Sequence, residues 1–282
     1  MNPVIVSGVF DNIRSGHVRF LEEASRLGPV TVLLRDDPSA AALLGRAPKF
    51  AWEERRYFLG ALRWVERVEP LHADCPPDAL PDPVPKGALW VMLDAKGDLA
   101  TPAERSSPDK LRFCRLRGIE PLDVDAGDFS GFRRDRAASD FDPRPGKPRV
   151  VATGSYDWLH TGHIRFFEEA SAYGELTVVV GHDANIRLLK GEGHPLVPEE
   201  ERRYMVASVR SVARALISTG SGWLDAEPEI GLLRPDRYVV NADGDKPEKR
   251  RFCEERGIEY IVLAREPRPG LPRRSSTDLR GF

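Results

Sequence analysis

Two α/β units in tandem, each a doubly wound parallel sheet, are what the sequence predicts. Three observations carry that prediction. Short apolar, β-branched runs alternate with amphipathic helical stretches, the pattern of a parallel sheet flanked by helices. Three segments of the first half recur in the second half in the same order. The chain's 282 residues, 41% hydrophobic and 30% charged, suffice for two domains of ordinary size.

The duplication is legible residue by residue. His17-Val-Arg-Phe-Leu-Glu-Glu-Ala-Ser25 matches His163-Ile-Arg-Phe-Phe-Glu-Glu-Ala-Ser171 at 7 of 9 positions. Glu53-Glu-Arg-Arg-Tyr57 matches Glu200-Glu-Arg-Arg-Tyr204 throughout. Lys110–Glu120 matches Lys249–Glu259 at 8 of 11 positions. The period far exceeds that of a solenoid, so a whole domain is duplicated. The expected domains are 1–136 and 148–282, joined by a proline-rich, charged linker over Ala137 to Lys147.

Within the second half each element has its own reason. Val150–Thr153 is an apolar strand. Gly162–Tyr173 is a helix that places Ile164, Phe167 and Ala170 on one face. Leu176–Val180 is a buried strand. Glu199–Ala213 is a helix with acidic residues in its first turn, where they suit the positive end of the dipole. Arg237–Val240 and Glu259–Leu263 are further strands, and Lys246–Arg256 is a helix stopped by Gly257. The result is a Rossmann-like unit whose ligands sit at the carboxyl ends of the strands. The first half carries the same pattern behind Val4-Ile5-Val6.

Composition excludes several classes. A net charge of −2 gives no basic field for nucleic acid. No uncharged apolar run is long enough for membrane insertion. The N-terminus lacks the basic and apolar regions of a signal peptide, and three scattered cysteines without a Cys-x-x-Cys pair suit a reducing compartment, so a cytoplasmic location is expected. No dedicated metal site is expected.

The chemistry concentrates in His160-Thr161-Gly162-His163 after the first strand of the second half. Histidines three apart share a helix face and can address one phosphate. Gly162 between them removes a side chain so that phosphate can approach the backbone, and the following helix start offers free N–H groups. Thr153-Gly-Ser-Tyr-Asp-Trp-Leu-His-Thr-Gly-His163, Lys190-Gly191, Glu201-Arg-Arg-Tyr-Met-Val206 and Arg274-Ser-Ser-Thr277 occur in one order over nearly the whole half. Together they resemble the signature of the cytidylyltransferase-like nucleotidyltransferase superfamily. The tandem layout resembles that of ethanolamine-phosphate cytidylyltransferase, and each half is close in size to bacterial glycerol-3-phosphate cytidylyltransferase.

That resemblance implies a reaction in which a phosphomonoester oxygen attacks the α-phosphorus of a nucleoside triphosphate and pyrophosphate leaves. It implies catalytic roles for His160, His163, Lys190 and Arg202. It implies nucleotide contacts from Thr153, Gly154, Ser155, Gly162, Asp243, Arg274, Ser275, Ser276 and Thr277. Mg2+ accompanies the triphosphate. The substrates expected are CTP, with ATP as the alternative, and a small phosphorylated acceptor. Three functions follow: a cytidylyltransferase; an adenylyltransferase acting on a sugar phosphate or on a flavin or pantetheine precursor; and a non-catalytic nucleotide-binding regulator.

The first half departs from the signature. Arg14 stands where His160 stands, and Leu43-Leu-Gly-Arg46 set against Leu188-Leu-Lys-Gly191 lacks the lysine. The nearest text to the final motif is Arg133–Ala137, whereas His17 and Arg55 survive. This half is expected to be catalytically silent and to serve as a pseudo-dimeric partner within the chain, self-association being left open. In the eukaryotic tandem enzyme the resemblance makes the first half the better candidate for catalysis, so the roles here are reversed. Two further readings stay open. Asp157 positions the site or forms a turn. Trp223 reads as a packed core residue, with the cover of an acceptor pocket as the alternative.

Overall fold

The computed structural model describes residues 2–94, 104–125, 146–275 and 279. The chain divides into two compact units, Met1–Gly131 and Phe132–Phe282. The expected linker and Arg133–Ala137 lie outside the described residues, apart from Gly146 and Lys147.

The first unit runs β1 (Val4–Gly8), α1 (Ser15–Ser25), β2 (Val30–Arg35), α2 (Asp37–Leu44), α3 (Trp52–Ala61), β3 (Val65–Leu71), β4 (Leu89–Asp94), α4 (Pro108–Arg117) and β5 (Glu120–Asp125). The second runs β6 (Arg149–Gly154), α5 (Thr161–Ser171), β7 (Glu175–Val180), α6 (Asp183–Lys190), α7 (Glu199–Ala207), β8 (Arg214–Ile217), α8 (Glu227–Leu233), β9 (Arg237–Asn241), α9 (Pro247–Glu255) and β10 (Glu259–Leu263). Each unit forms one five-stranded sheet, in the orders β3-β2-β1-β4-β5 and β8-β7-β6-β9-β10. Every pairing is parallel. The two sheets are thus the same topology built twice, each with helices to bury its apolar runs.

In both sheets the chain reverses direction of travel beside the first strand, between β1 and β4 and between β6 and β9. Such a switch point opens a crevice at the carboxyl ends of the strands, which is where the His160–His163 segment lies. Val150, Val151 and Ala152 of β6 are buried, as are Leu176 and Val178–Val180 of β7. Central strands buried on both faces read as continuous apolar runs, which is why the sequence exposes them so clearly.

Four elements differ from expectation. The helix expected over Glu199–Ala213 ends at Ala207. Ser208 stops it: its hydroxyl bonds back to the Met205 carbonyl at 2.6 Å, and two turns carry Val209 and Val212 into the core before β8 begins. The short strand β8 and helix α8 carry too little period to be read from sequence. Lys190, expected on a loop, is the last residue of α6. The helices also set Leu44 of α2 against Lys190 and Gly45 against Gly191, one residue away from the sequence alignment; the lysine is absent from the first unit in either register. Among the described residues no helix is long and apolar enough to cross a membrane.

Candidate active site

The strand-to-helix turn after β6 carries the core of the site. His160 is the N-cap of α5, and its Nδ1 accepts the Gly162 N–H at 3.1 Å. His163 sits one turn into the helix. The two imidazoles stack with ring centroids 3.9 Å apart and an interplanar angle of 22°. Gly162 lies against the His160 ring. A Cβ there would lie 2.9 Å from His160 Cε1 and 3.0 Å from its Nδ1, so the missing side chain makes room for the capping ring.

His163 is enclosed. Burial, reinforced by the neighbouring His160 and by the Arg265 and Lys190 cations, holds it well below the usual imidazole range. It is therefore neutral at pH 7, and its Nδ1 makes no hydrogen bond among the described residues. Tyr156 packs edge-on against it at 5.2 Å and 76°. Tyr156 adopts φ +49°, is buried, and its ring lies over Gly154, where a Cβ would come within 2.9 Å. Its phenol is pushed above the ordinary range by burial, and its hydroxyl has no hydrogen-bond partner among the described residues.

Lys190 reaches the same edge, donating from Nζ to Ser155 Oγ at 2.8 Å. Arg202 approaches from behind. Its Nε donates to the Val197 carbonyl at 2.8 Å, one terminal nitrogen to the Ser155 carbonyl at 2.5 Å and the other to Asp183 Oδ1 at 2.6 Å. Its side chain is 1% exposed. Arg55 repeats the arrangement in the first unit, on Phe50, Val9 and Asp37 at 3.0, 2.6 and 2.6 Å. In both units the guanidinium is engaged with two carbonyls and an aspartate around the turn. Asp157 performs the companion task. Its Oδ1 accepts from the amides of Leu196 and Val197 at 2.7 and 3.0 Å, as Asp11 does from Lys49 and Phe50 at 2.5 and 3.2 Å. Asp157 thus positions the site's loops.

The remaining expected residues divide. Thr153 lies beneath the turn, its hydroxyl 2.6 Å from that of Tyr238. Arg274 lines a shallow cleft together with Gly162, Phe166, Asn241, Arg265 and Arg273; neither imidazole is part of that lining. Ser275 follows Arg274 and is half-buried. Ser276 and Thr277 lie outside the described residues. Asp243 is 52% exposed and paired with Arg265. Trp223 is not a core residue: it is 45% exposed, because Asn185 grips both backbone groups of Gly222 at 2.8 and 3.1 Å while Leu224 takes the buried place.

Sequence reasoning missed Tyr156 and Arg265. Tyr156 had a signal, since the duplicate carries Phe10 at the same position with φ +50°. Arg265 had none; it reaches the cleft only because the chain turns sharply after β10, at φ +56°.

Comparison with known proteins supplies the family. The model described as cytidylyltransferase-like matches residues 151–271. A FAD synthase of Aciduliprofundum boonei is 36% identical over 136 residues, 47% of this chain and 84% of that protein. A FAD synthase of Methanopyrus kandleri is 38% identical over 120 residues, 40% of this chain and 77% of that protein. These alignments span about one unit and do not test the tandem layout. Among solved structures, the lipopolysaccharide core biosynthesis protein of Thermoplasma volcanium is 27% identical, covering 42% of this chain and 98% of its own, at a TM-score of 0.37.

Proposed function

The chain belongs to the cytidylyltransferase-like family of nucleotidyltransferases, and from that premise we propose that its C-terminal unit transfers an adenylyl group from ATP to a flavin phosphate, releasing pyrophosphate. The single observation that carries the choice of ATP is the name FAD synthase on relatives 36% and 38% identical to this chain. It displaces the expectation of CTP, which rested on the motifs around Lys190–Val206 and on the tandem layout. FAD is flavin mononucleotide joined to AMP, so the acceptor is the terminal phosphate of flavin mononucleotide. One of its oxygens forms a bond to the α-phosphorus of ATP, the bond to the bridging oxygen of the β-phosphate breaks, and pyrophosphate carries away the electron pair.

No side chain is required as a nucleophile in this reaction; positioning and charge stabilisation suffice. Lys190, held on Ser155, is a point charge at the edge of the turn. His163 is neutral while the site holds no anion, and a bound triphosphate shifts it toward the protonated form. His160 is fixed by its cap and supports His163 through the stack. Arg202 and Asp157 hold the turn in place. Mg2+ enters with the triphosphate. Among the described residues no three ligating side chains converge; an ion carried by phosphate needs no all-protein cage.

The test crosses ATP and CTP with flavin mononucleotide and a panel of small phosphomonoesters, following pyrophosphate release and FAD formation. ATP with flavin mononucleotide is expected to turn over, and Lys190→Ala to lower kcat/KM by about 10². Faster turnover of CTP than ATP, or full activity in Lys190→Ala, refutes the reading.

A further inference from the structure

The turn after β1 is the turn after β6 repeated 146 residues earlier, so Val9 and Phe10 stand where Ser155 and Tyr156 stand. In the first unit this turn already holds an anion. The amides of Val9 and Phe10 both donate to Oε1 of Glu104, at 3.0 and 3.1 Å. Glu104 is 4% exposed. Its side chain lies against Gly8, where an added Cβ would come 2.5 Å from Glu104 Cγ. Gly8 therefore admits the carboxylate.

The surroundings are duplicated in register. Lys110 Nζ lies 5.2 Å from the Trp90 ring centroid and donates to the Arg105 carbonyl at 2.7 Å. Lys249 Nζ lies 5.7 Å from the Tyr238 ring and donates to the Gly244 carbonyl at 3.2 Å. Trp90 Nε1 bonds Ser7 Oγ at 3.1 Å, as Tyr238 bonds Thr153. The residue just before Arg105 is Glu104, and the residue just before Gly244 is Asp243. These two acids occupy one position in the duplicated scaffold and take different partners. Asp243 is exposed and paired with Arg265. Among the described residues no side chain accepts from the amides of Ser155 or Tyr156.

We propose that Glu104 is a resident anion, its carboxylate taking in the N-terminal unit the place that a phosphate of the substrate takes on Ser155 and Tyr156 in the C-terminal unit. The N-terminal unit is then a phosphate site closed by its own chain. The inference rests on the proposed triphosphate site for the comparison, and on the Glu104 contacts alone for the closure. A carboxylate and a phosphate oxygen are equivalent charge-assisted acceptors for a pair of backbone amides. Lys110, which feels the charge of Glu104 and is lowered to about 8 chiefly by burial, supplies the local cation. The ligand class is an inorganic phosphate or pyrophosphate. A whole nucleoside triphosphate is disfavoured there, because Leu44 stands where Lys190 stands and that cation is missing.

The experiment uses the full chain and pyrophosphate, with calorimetric stoichiometry and the amide resonances of Val9 and Phe10 as readouts. In the unaltered chain those resonances stay put. In Glu104→Ala they move on titration, with binding at least about tenfold tighter at that turn, and the stoichiometry rises by one site. Glu104→Ser, which keeps a small polar group in the cavity, is read the same way if Glu104→Ala does not fold. A rise from one site to two supports both readings; a rise from none to one supports the closed site and removes the C-terminal one. Unmoved Val9 and Phe10 resonances in a folded Glu104 variant, or resonances that already move in the unaltered chain, overturn the proposal.

Discussion

Replacing His163 by Gln tests the enclosed imidazole through the pH dependence of stability. The folded chain keeps His163 neutral, because burial and the nearby His160, Arg265 and Lys190 oppose its charge. The unfolded chain protonates it near the ordinary value of about 6.5. Below that pH the unfolded state therefore binds more protons than the folded state, and stability falls as pH falls. The loss begins near the unfolded value and continues down to the lowered folded value. Each pH unit inside that window is worth up to about 1.4 kcal/mol. Going from pH 7.5 to 5.5 crosses about one unit of it, so the stability of the unaltered chain relative to His163→Gln drops by about 1.4 kcal/mol. Urea unfolding of both chains at matched pH and ionic strength measures the difference, with the remaining histidines common to both. A gap that does not change between those pH values, or one that favours the unaltered chain more in acid, refutes a neutral His163.

Two substitutions separate positioning from clamping. Gly162→Ala places a methyl 2.9 Å from His160 Cε1, so the capping ring must move; turnover falls by about 10², while stability stays within about 1 kcal/mol because alanine favours the helix. A steady-state assay beside a thermal melt checks this, and normal turnover counts against the ring's role. Arg55→Met removes the first unit's clamp and leaves its three acceptors without their donor, lowering stability by about 3 kcal/mol. Activity per folded molecule in the C-terminal unit is expected to persist. Loss of turnover in a chain shown by calorimetry to remain folded contradicts a silent first unit.

The duplication, the alternation of strands and helices, and the one turn that carries paired histidines are legible along the chain. Those features are local: they depend on apolar runs such as Leu176–Val180 and on spacing along a single segment, and each chain reads them directly. What the charged and small residues touch is set by the tertiary fold. Arg202 reads as a phosphate ligand, and the fold engages its guanidinium, like that of Arg55, with two carbonyls and an aspartate. Gly162 reads as room for phosphate, and the ring of His160 also needs that space. Glu104 and Asp243 occupy one position in a repeated scaffold, yet one is buried on two amides and the other is exposed beside an arginine. A side chain's direction follows from partners distant in sequence, and those partners exist only once the sheet has formed.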